Sequence, residues 1–308
     1  MKLRIGTRGS ALALAQANDV TARLNAAGHD ARIVVISTEG DRVTDRAFID
    51  IGAFGVFVRE IESALLAGEI DVAVHSYKDL PSRSPDGLII GAVPERVDPA
   101  DVLLVRGEAL VASRGHLPLA DGACVGTSAA RRRALLLDAR PDLRIAQLRG
   151  NVPTRVQALI EGRFDAIVLA AAGLFRLARV DGASRLTLPA DVTAVRLDPA
   201  RFVPAPSQGA IAVQVRADAA AVRTAVAAID DEQCRLALSA EREALRLADG
   251  GCTLPFGAWC TSAPDGTLNL TAALGLEDGS VARASAAGSD PAAVASDAWC
   301  ALARLVSR

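Results

Sequence analysis

Six short stretches carry side chains whose types and spacing suit chemistry on an anionic ligand. In HSYKDLPS (75–82) Lys78 and Asp79 are adjacent, just before a proline that ends regular structure. A carboxylate at a strand end can accept an N–H bond from a ligand or steady a developing cation, and a neighbouring ammonium keeps it ionised. A surface ion pair explains the same two residues equally well when they stand alone. Lys78 is nonetheless unusual, since Lys2 is the other lysine of the chain. Arginine recurs at three similar places: Arg131, Arg132 and Arg133 in GTSAARRR, Arg149 and Arg155 in LRGNVPTR, and Arg176 after FDAIVLAAAG. Its planar fork pairs bidentately with carboxylate or phosphate, and the recurrence argues against three unrelated surface arginines. Successive helical residues point about 100° apart, so at most two of Arg131, Arg132 and Arg133 face one ligand. Thr7, Arg8 and Ser10 open a helix whose free N–H groups favour an anion, although an ordinary N-cap accounts for Ser10 as well. Cys252 stands in GGCTLPFG (250–257), where glycines leave its sulfur uncrowded. A reactive thiol and a buried structural cysteine both fit that stretch, and the structural reading is the default. His75, alone at a strand end, reads as structural.

The elements that must hold these groups follow an α/β rhythm. LRIGTR (3–8) is strand-like and runs into the apolar-periodic helix that Ser10 opens and Gly28 closes. ARIVVIST (31–38) and IDVAVHS (70–76) read as strands around the helix VFVREIESALLAGE (56–69), which implies parallel strands with helical crossovers. After the polar PERVDPAD (94–101) a second set begins. VLLVR, ACVGTS, LRIAQLRG and FDAIVLAAAG are strand-like there, and AARRRALLLDA and VPTRVQALIEG helical. AIAVQVR (210–216) is a late strand placed to return to the first sheet. From residue 231 a helix, short strands such as TLNLTAALGL and a last helix form a smaller α+β region. The expectation is a first domain of residues 1–94 with 208–228, a second of 100–203 and a third of 232–308. The arginine stretches and the Lys78–Asp79 pair all fall at the carboxyl ends of strands, where α/β proteins bind ligands.

Composition narrows the functions open to such a chain. With 308 residues, 51% hydrophobic and 23% charged, it has material for several packed cores. No apolar run is long enough to span a bilayer and the first residues lack a secretory core, so the expectation is a cytoplasmic protein off the membrane. Five scattered cysteines and three histidines without a close-set motif argue against a disulfide framework and against a metal site. Between Arg131 and Arg179 ten arginines face four acids, yet the whole chain has a net charge of −2 and few aromatics. Nucleic acid is one partner that such a cluster suits, and a small polyanion fits at least as well.

In order and spacing, TRGSALALAQ, GVFVRE, DVAVHSYKDLPS, VGTSAARRR, LRGNVPTR, DAIVLAAAGLFRL, PAPSQGAIAV and DGGCTLPFG resemble the porphobilinogen deaminase family over nearly the whole chain. The resemblance implies two periplasmic-binding-protein-like α/β domains plus a smaller C-terminal α+β domain. It implies a dipyrromethane cofactor joined to Cys252 through a thioether, on which four porphobilinogen units condense head to tail with loss of ammonia before hydrolysis to hydroxymethylbilane. Asp79 is then the catalytic carboxylate, with Lys78 beside it, steadying the cation left when ammonia departs. Each pyrrole brings an acetate and a propionate, so the growing chain gains two negative charges per addition. Arg8, Ser10, Ser76, Lys78, Thr127, Ser128, Arg131, Arg132, Arg149 and Arg155 match the family's cofactor contacts, and Arg8, Gln16, Phe57, Arg149, Arg155 and Arg176 its substrate contacts. The resemblance also implies a monomer whose partners are porphobilinogen and the growing oligopyrrole.

The chain departs from the family pattern at four positions. Phe54 in GAFGVF replaces a lysine, Asp50 and Glu39 stand where basic residues are frequent, and Ala129 replaces a frequent serine. The expectation is a weaker hold on intermediates, or compensation by Arg42, Arg46 or Arg133, with the core chemistry retained. The segment 180–203, longer than in some relatives, has no assigned role. A solute-binding protein of two-domain architecture and a nucleic-acid binder are the alternatives. The third region with its cysteine loop speaks against the first, and the overall acidity against the second.

Overall fold

The computed structural model describes residues 1–36, 56–180, 187–248 and 254–306. Cys252, Phe54, Asp50, Glu39, Arg42 and Arg46 lie outside the described residues, as does the side chain of Phe57. The chain divides into two compact units, Met1–Val97 with Gly209–Arg235, and Asp98–Gln208 with Leu236–Arg308.

In the first unit β1 (Lys2–Thr7), α1 (Ala11–Ala26), β2 (Asp30–Val35), α2 (Val56–Leu66), β3 (Val72–Ser76), β4 (Leu88–Ala92), β10 (Ile211–Arg216) and α6 (Ala220–Ala227) are built on one five-stranded sheet in the order β2-β1-β3-β10-β4. β1 runs parallel to β2 and β3, while β10 is antiparallel to β3 and β4. The late strand thus returns to the first sheet as its sequence suggests. α1 begins where Ser10 accepts the Ala13 N–H, and Gly28 follows it at φ +86°, a conformation open to glycine. Gln16, Ala17, Val20 and Leu24 form its buried stripe. One face of the sheet packs Leu3, Ile5, Val72, Val74 and Val213 against α1 and α6 residues, each side chain contributing about 1.5–3 kcal/mol by burial.

The second unit repeats that pattern. β5 (Asp101–Arg106), β6 (Cys124–Gly126), α3 (Ala130–Ala139), β7 (Arg144–Ala146), α4 (Val152–Ile160), β8 (Ala166–Ala170), α5 (Ala171–Val180) and β9 (Val192–Arg196) give a sheet in the order β7-β6-β8-β5-β9. Again three strands are parallel and the fourth in order, here β5, is antiparallel to its neighbours. The expected strand FDAIVLAAAG is shorter than its pattern suggests. It ends at Ala170, because the alanines that follow favour helix and open α5. The segment 180–203 supplies β9, an edge strand. α7 (Glu232–Leu247) leads from the first unit to an antiparallel sheet β11 (Phe256–Ser262), β12 (Leu268–Gly275) and β13 (Val281–Gly288), with α8 (Pro291–Val306) covering one face. The fold is therefore α/β with a smaller C-terminal α+β layer.

Candidate functional site

In the first unit the expected site residues gather at the carboxyl ends of two neighbouring parallel strands. β1 ends in the buried Thr7, and Arg8 and Ser10 follow, half-buried, at the entrance to α1. β3 ends at Ser76 and passes into a single 3₁₀ turn, Tyr77–Asp79. Leu80 N–H bonds to the Tyr77 carbonyl, Tyr77 N–H to the Ala210 carbonyl, and Pro81 prevents continuation. Asp79 is exposed on this turn and Lys78 half-buried. Gln16, expected to touch substrate, is only 3% exposed and faces the sheet. Its Nε2 donates to Ser76 Oγ at 2.8 Å and its Oε1 accepts from the same hydroxyl at 3.1 Å. A polar side chain on a buried helix stripe needs such a partner, and the pair fixes the root of the turn that bears Lys78 and Asp79.

In the second unit β6, β7 and β8 are parallel neighbours, so the three arginine stretches fall at one edge of the sheet. Thr127 N–H donates to Ala146 O at 2.9 Å, and Ser128 Oγ bonds to Leu148 O, tying the end of β6 to the end of β7. Arg149 is exposed. Gly150 follows at φ +101°, and Asn151 caps α4 by accepting the Thr154 N–H at 2.9 Å. Arg155 lies half-buried with Nε on the Gly150 carbonyl at 2.7 Å, and Arg176 is buried within α5.

Arg131 and Arg132 lie inside the protein rather than at its surface. Both are 6% exposed, and both pair with Asp101, which is wholly buried at the head of β5. Arg131 Nη2 reaches Asp101 Oδ2 at 2.8 Å and its Nη1 the Val203 carbonyl at 2.8 Å. Arg132 Nη2 and Nε both reach Asp101 Oδ1, at 2.7 and 3.1 Å, and Nη1 takes the Val168 carbonyl at 3.0 Å. Gln208 Nε2 adds a bond to Asp101 Oδ1 at 3.0 Å. Burial pushes the Asp101 carboxyl up, but the charges and hydrogen bonds of Arg131 and Arg132 overcome it and hold it well below the usual carboxylate range. Burial likewise lowers Arg131, opposed by Asp101. Of the three successive arginines Arg133 is exposed.

Two guanidinium groups share this one carboxylate, so the cluster keeps a formal charge of +1 out of water. α3 adds to the excess. Its N-cap is Ala129 without a side-chain bond, and its first turn has no acid, so the positive end of the helix faces arginines. An anion relieves both. Asp101 and Gln208 are the residues that sequence reasoning missed. An acid placed directly before the apolar run VLLV (102–105) was the available signal.

Among the described residues no group of histidine, cysteine and acidic side chains is placed to hold a metal ion, and no helix is long and apolar enough to cross a membrane. A family model described as "Porphobilinogen deaminase, dipyromethane cofactor binding domain" matches residues 3–224, and its "C-terminal domain" counterpart matches residues 235–298. The chain belongs to the porphobilinogen deaminase family. Porphobilinogen deaminase of Syntrophobacter fumaroxidans is 44% identical over 93% of this chain and 89% of its own length. That of Brevibacillus brevis is 43% identical over 95% and 91%. Among solved structures, a periplasmic substrate-binding protein of a Coxiella burnetii ABC transporter superposes with a TM-score of 0.41. It is 16% identical, over 78% of this chain and 96% of its own. An ancestral arginine-binding protein gives 0.36 at 16% identity, over 74% and 90%. Likeness at that level is too loose to bear on the fold. The family, and the dipyrromethane-binding domain that the first match describes, are those expected from the motifs.

Proposed function

We propose that the Tyr77–Asp79 turn carries the chemistry of that condensation and that the arginines of the second unit hold the carboxylates of the pyrrole chain. The observation that supports the second part most is the buried cluster of Arg131, Arg132 and Asp101, with its formal charge of +1. Such a site fits a carboxylate-rich group. Cys252 is the residue to which the dipyrromethane would be joined through a thioether. On the family resemblance, Arg8, Ser10, Ser76, Lys78, Thr127, Ser128, Arg131, Arg132, Arg149 and Arg155 would hold it. When bound, the dipyrromethane supplies the primer pyrrole to which substrate units are added.

Asp79, exposed on its turn, accepts the ring N–H of an incoming porphobilinogen and offsets the positive charge that spreads onto that nitrogen as ammonia leaves. Lys78 adds a positive charge one residue before Asp79. Arg149, Arg155 and Arg176 take the acetate and propionate groups of substrate, and Gln16 acts through Ser76; Phe57 is a substrate contact on the family resemblance alone. The reading makes the protein a monomeric cytoplasmic transferase of three domains, 1–94 with 208–228, 100–203 and 232–308, which binds neither nucleic acid nor membrane. Ammonia release and porphobilinogen consumption, followed together, test it. Asp79→Asn is expected to lower both by at least about a hundredfold, and an Asp79→Asn enzyme that turns over at the wild-type rate removes Asp79 from the mechanism.

A further inference from the structure

The face of the first sheet opposite α1 carries three buried polar side chains among apolar neighbours: Glu62 on α2, His75 on β3 and Gln214 on β10, at 5%, 6% and 0% exposure. Ala212 pairs with His75 and Gln214 with Ala73, so His75 and Gln214 share one face as diagonal neighbours, within reach of long side chains. Gln214 Nε2 donates to Glu62 Oε1 at 2.9 Å. The remaining amide oxygen of Gln214 and the Nε2 of His75 are both buried without a well-formed bond, although Gln214 acts on His75 as a hydrogen-bonding partner. The two atoms are complementary when Nε2 carries the proton. Burial holds His75 neutral, down at about 4, which leaves a ring with one N–H to place. Burial also raises Glu62, against the bond from Gln214.

We infer that Glu62, Gln214 and His75 form a buried polar chain that positions the Lys78–Asp79 turn. His75 stands one residue before Ser76, which Gln16 holds from the other face of the sheet. The two glutamines therefore grip β3 from opposite sides immediately before the turn. Gln16 ties it to α1, and Gln214 ties it to α2 through Glu62. Neither Glu62 nor Gln214 has a place in the chemistry itself. They act through His75, and a buried polar chain in a sheet interior restricts β3 to one arrangement in a way apolar packing does not.

The inference rests on Lys78 and Asp79 being the catalytic turn, and its test keeps the two apart. Porphobilinogen turnover by the cofactor-loaded wild type is measured first. Gln214→Met is then compared with the double variant Glu62→Met, Gln214→Met. The single variant leaves a buried carboxyl unpaired and loses stability. The double variant removes both partners of that bond for apolar groups of similar size and recovers melting temperature. The chain as a positioning device predicts kcat about tenfold below wild type in the double variant, with KM for porphobilinogen unchanged, because a displaced turn impairs the reacting geometry more than binding. A double variant with wild-type kcat, or one whose kcat tracks only its folded fraction, overturns the inference. Failure of the Lys78–Asp79 reading shows itself separately, as an Asp79→Asn enzyme that consumes porphobilinogen at the wild-type rate.

Discussion

Replacing Asp101 by asparagine keeps the shape of the side chain and removes the charge that Arg131 and Arg132 share. Oδ1 receives Arg132 Nε and Nη2 and Gln208 Nε2, so an asparagine oriented to satisfy those donors turns its NH₂ towards Arg131 Nη2. One charge-assisted bond becomes a donor facing a donor, and the formal charge of the buried cluster rises from +1 to +2. Breaking a buried pair in this way costs about 3–5 kcal/mol. For a unit of this size that is a fall of roughly 6–20 °C in melting temperature, at ~2–4 °C per kcal/mol. The loss has a pH signature. The folded carboxyl lies below its ordinary value of 3.8, so in acid the unfolded chain binds the proton first and wild-type stability falls as pH drops below that value. Asp101→Asn has no such proton to gain, and the gap between the two proteins is full at pH 7 and narrows in acid. Thermal melts followed by circular dichroism at pH 7 and near pH 3 read both effects. An Asp101→Asn protein that melts within about 2 °C of wild type at pH 7 refutes the reasoning, because ~3 kcal/mol cannot hide in that interval.

Two further substitutions probe the packing that surrounds the arginine pair, both read by thermal melting. A Cβ at Gly257 on β11 would lie 2.8 Å from Val203 O and 3.0 Å from Pro204 O, backbone atoms that cannot step aside, and 3.2 Å from Arg131 Cδ. Gly257→Ala is therefore expected to cost about 1–3 kcal/mol, and a change under ~0.5 kcal/mol contradicts the close approach. Ser207 holds φ at +62°, and its buried hydroxyl has no partner, while its N–H bonds to Glu241 Oε2 at 2.6 Å. Ser207→Gly keeps that bond and relieves the rest, so it should stabilise by about 1 kcal/mol, and a lowered melting temperature counts against it.

The alternation of strand and helix was legible because it rests on local pattern. Ser10 and Gly28 marked the ends of α1, and the apolar AIAVQVR revealed a strand far from its sheet partners. Strands β4 and β9 were harder. LIIGA is a five-residue run with a glycine, and VTAVR is an edge strand whose outer residues are polar or exposed, so neither has a strong period. The arginines at successive strand ends were visible as a recurrence. Their burial was not, since Asp101 lies 30 residues before Arg131 and only the sheet brings the two together. Likewise Gln16 is a substrate contact on the family resemblance, and only the fold shows that it also bonds Ser76. Gln214 gave no warning at all. It is one polar residue in a strand buried on both faces, and its meaning depends on Glu62, 152 residues away.

The central claim is that Cys252 carries a dipyrromethane on which this chain builds its product. Intact mass of the purified active protein measures it most directly. The account predicts a species heavier than the 31.8 kDa polypeptide by a two-pyrrole adduct, reduced to the bare mass in Cys252→Ser. An active wild type at the unmodified mass, or an adduct that survives Cys252→Ser, contradicts it.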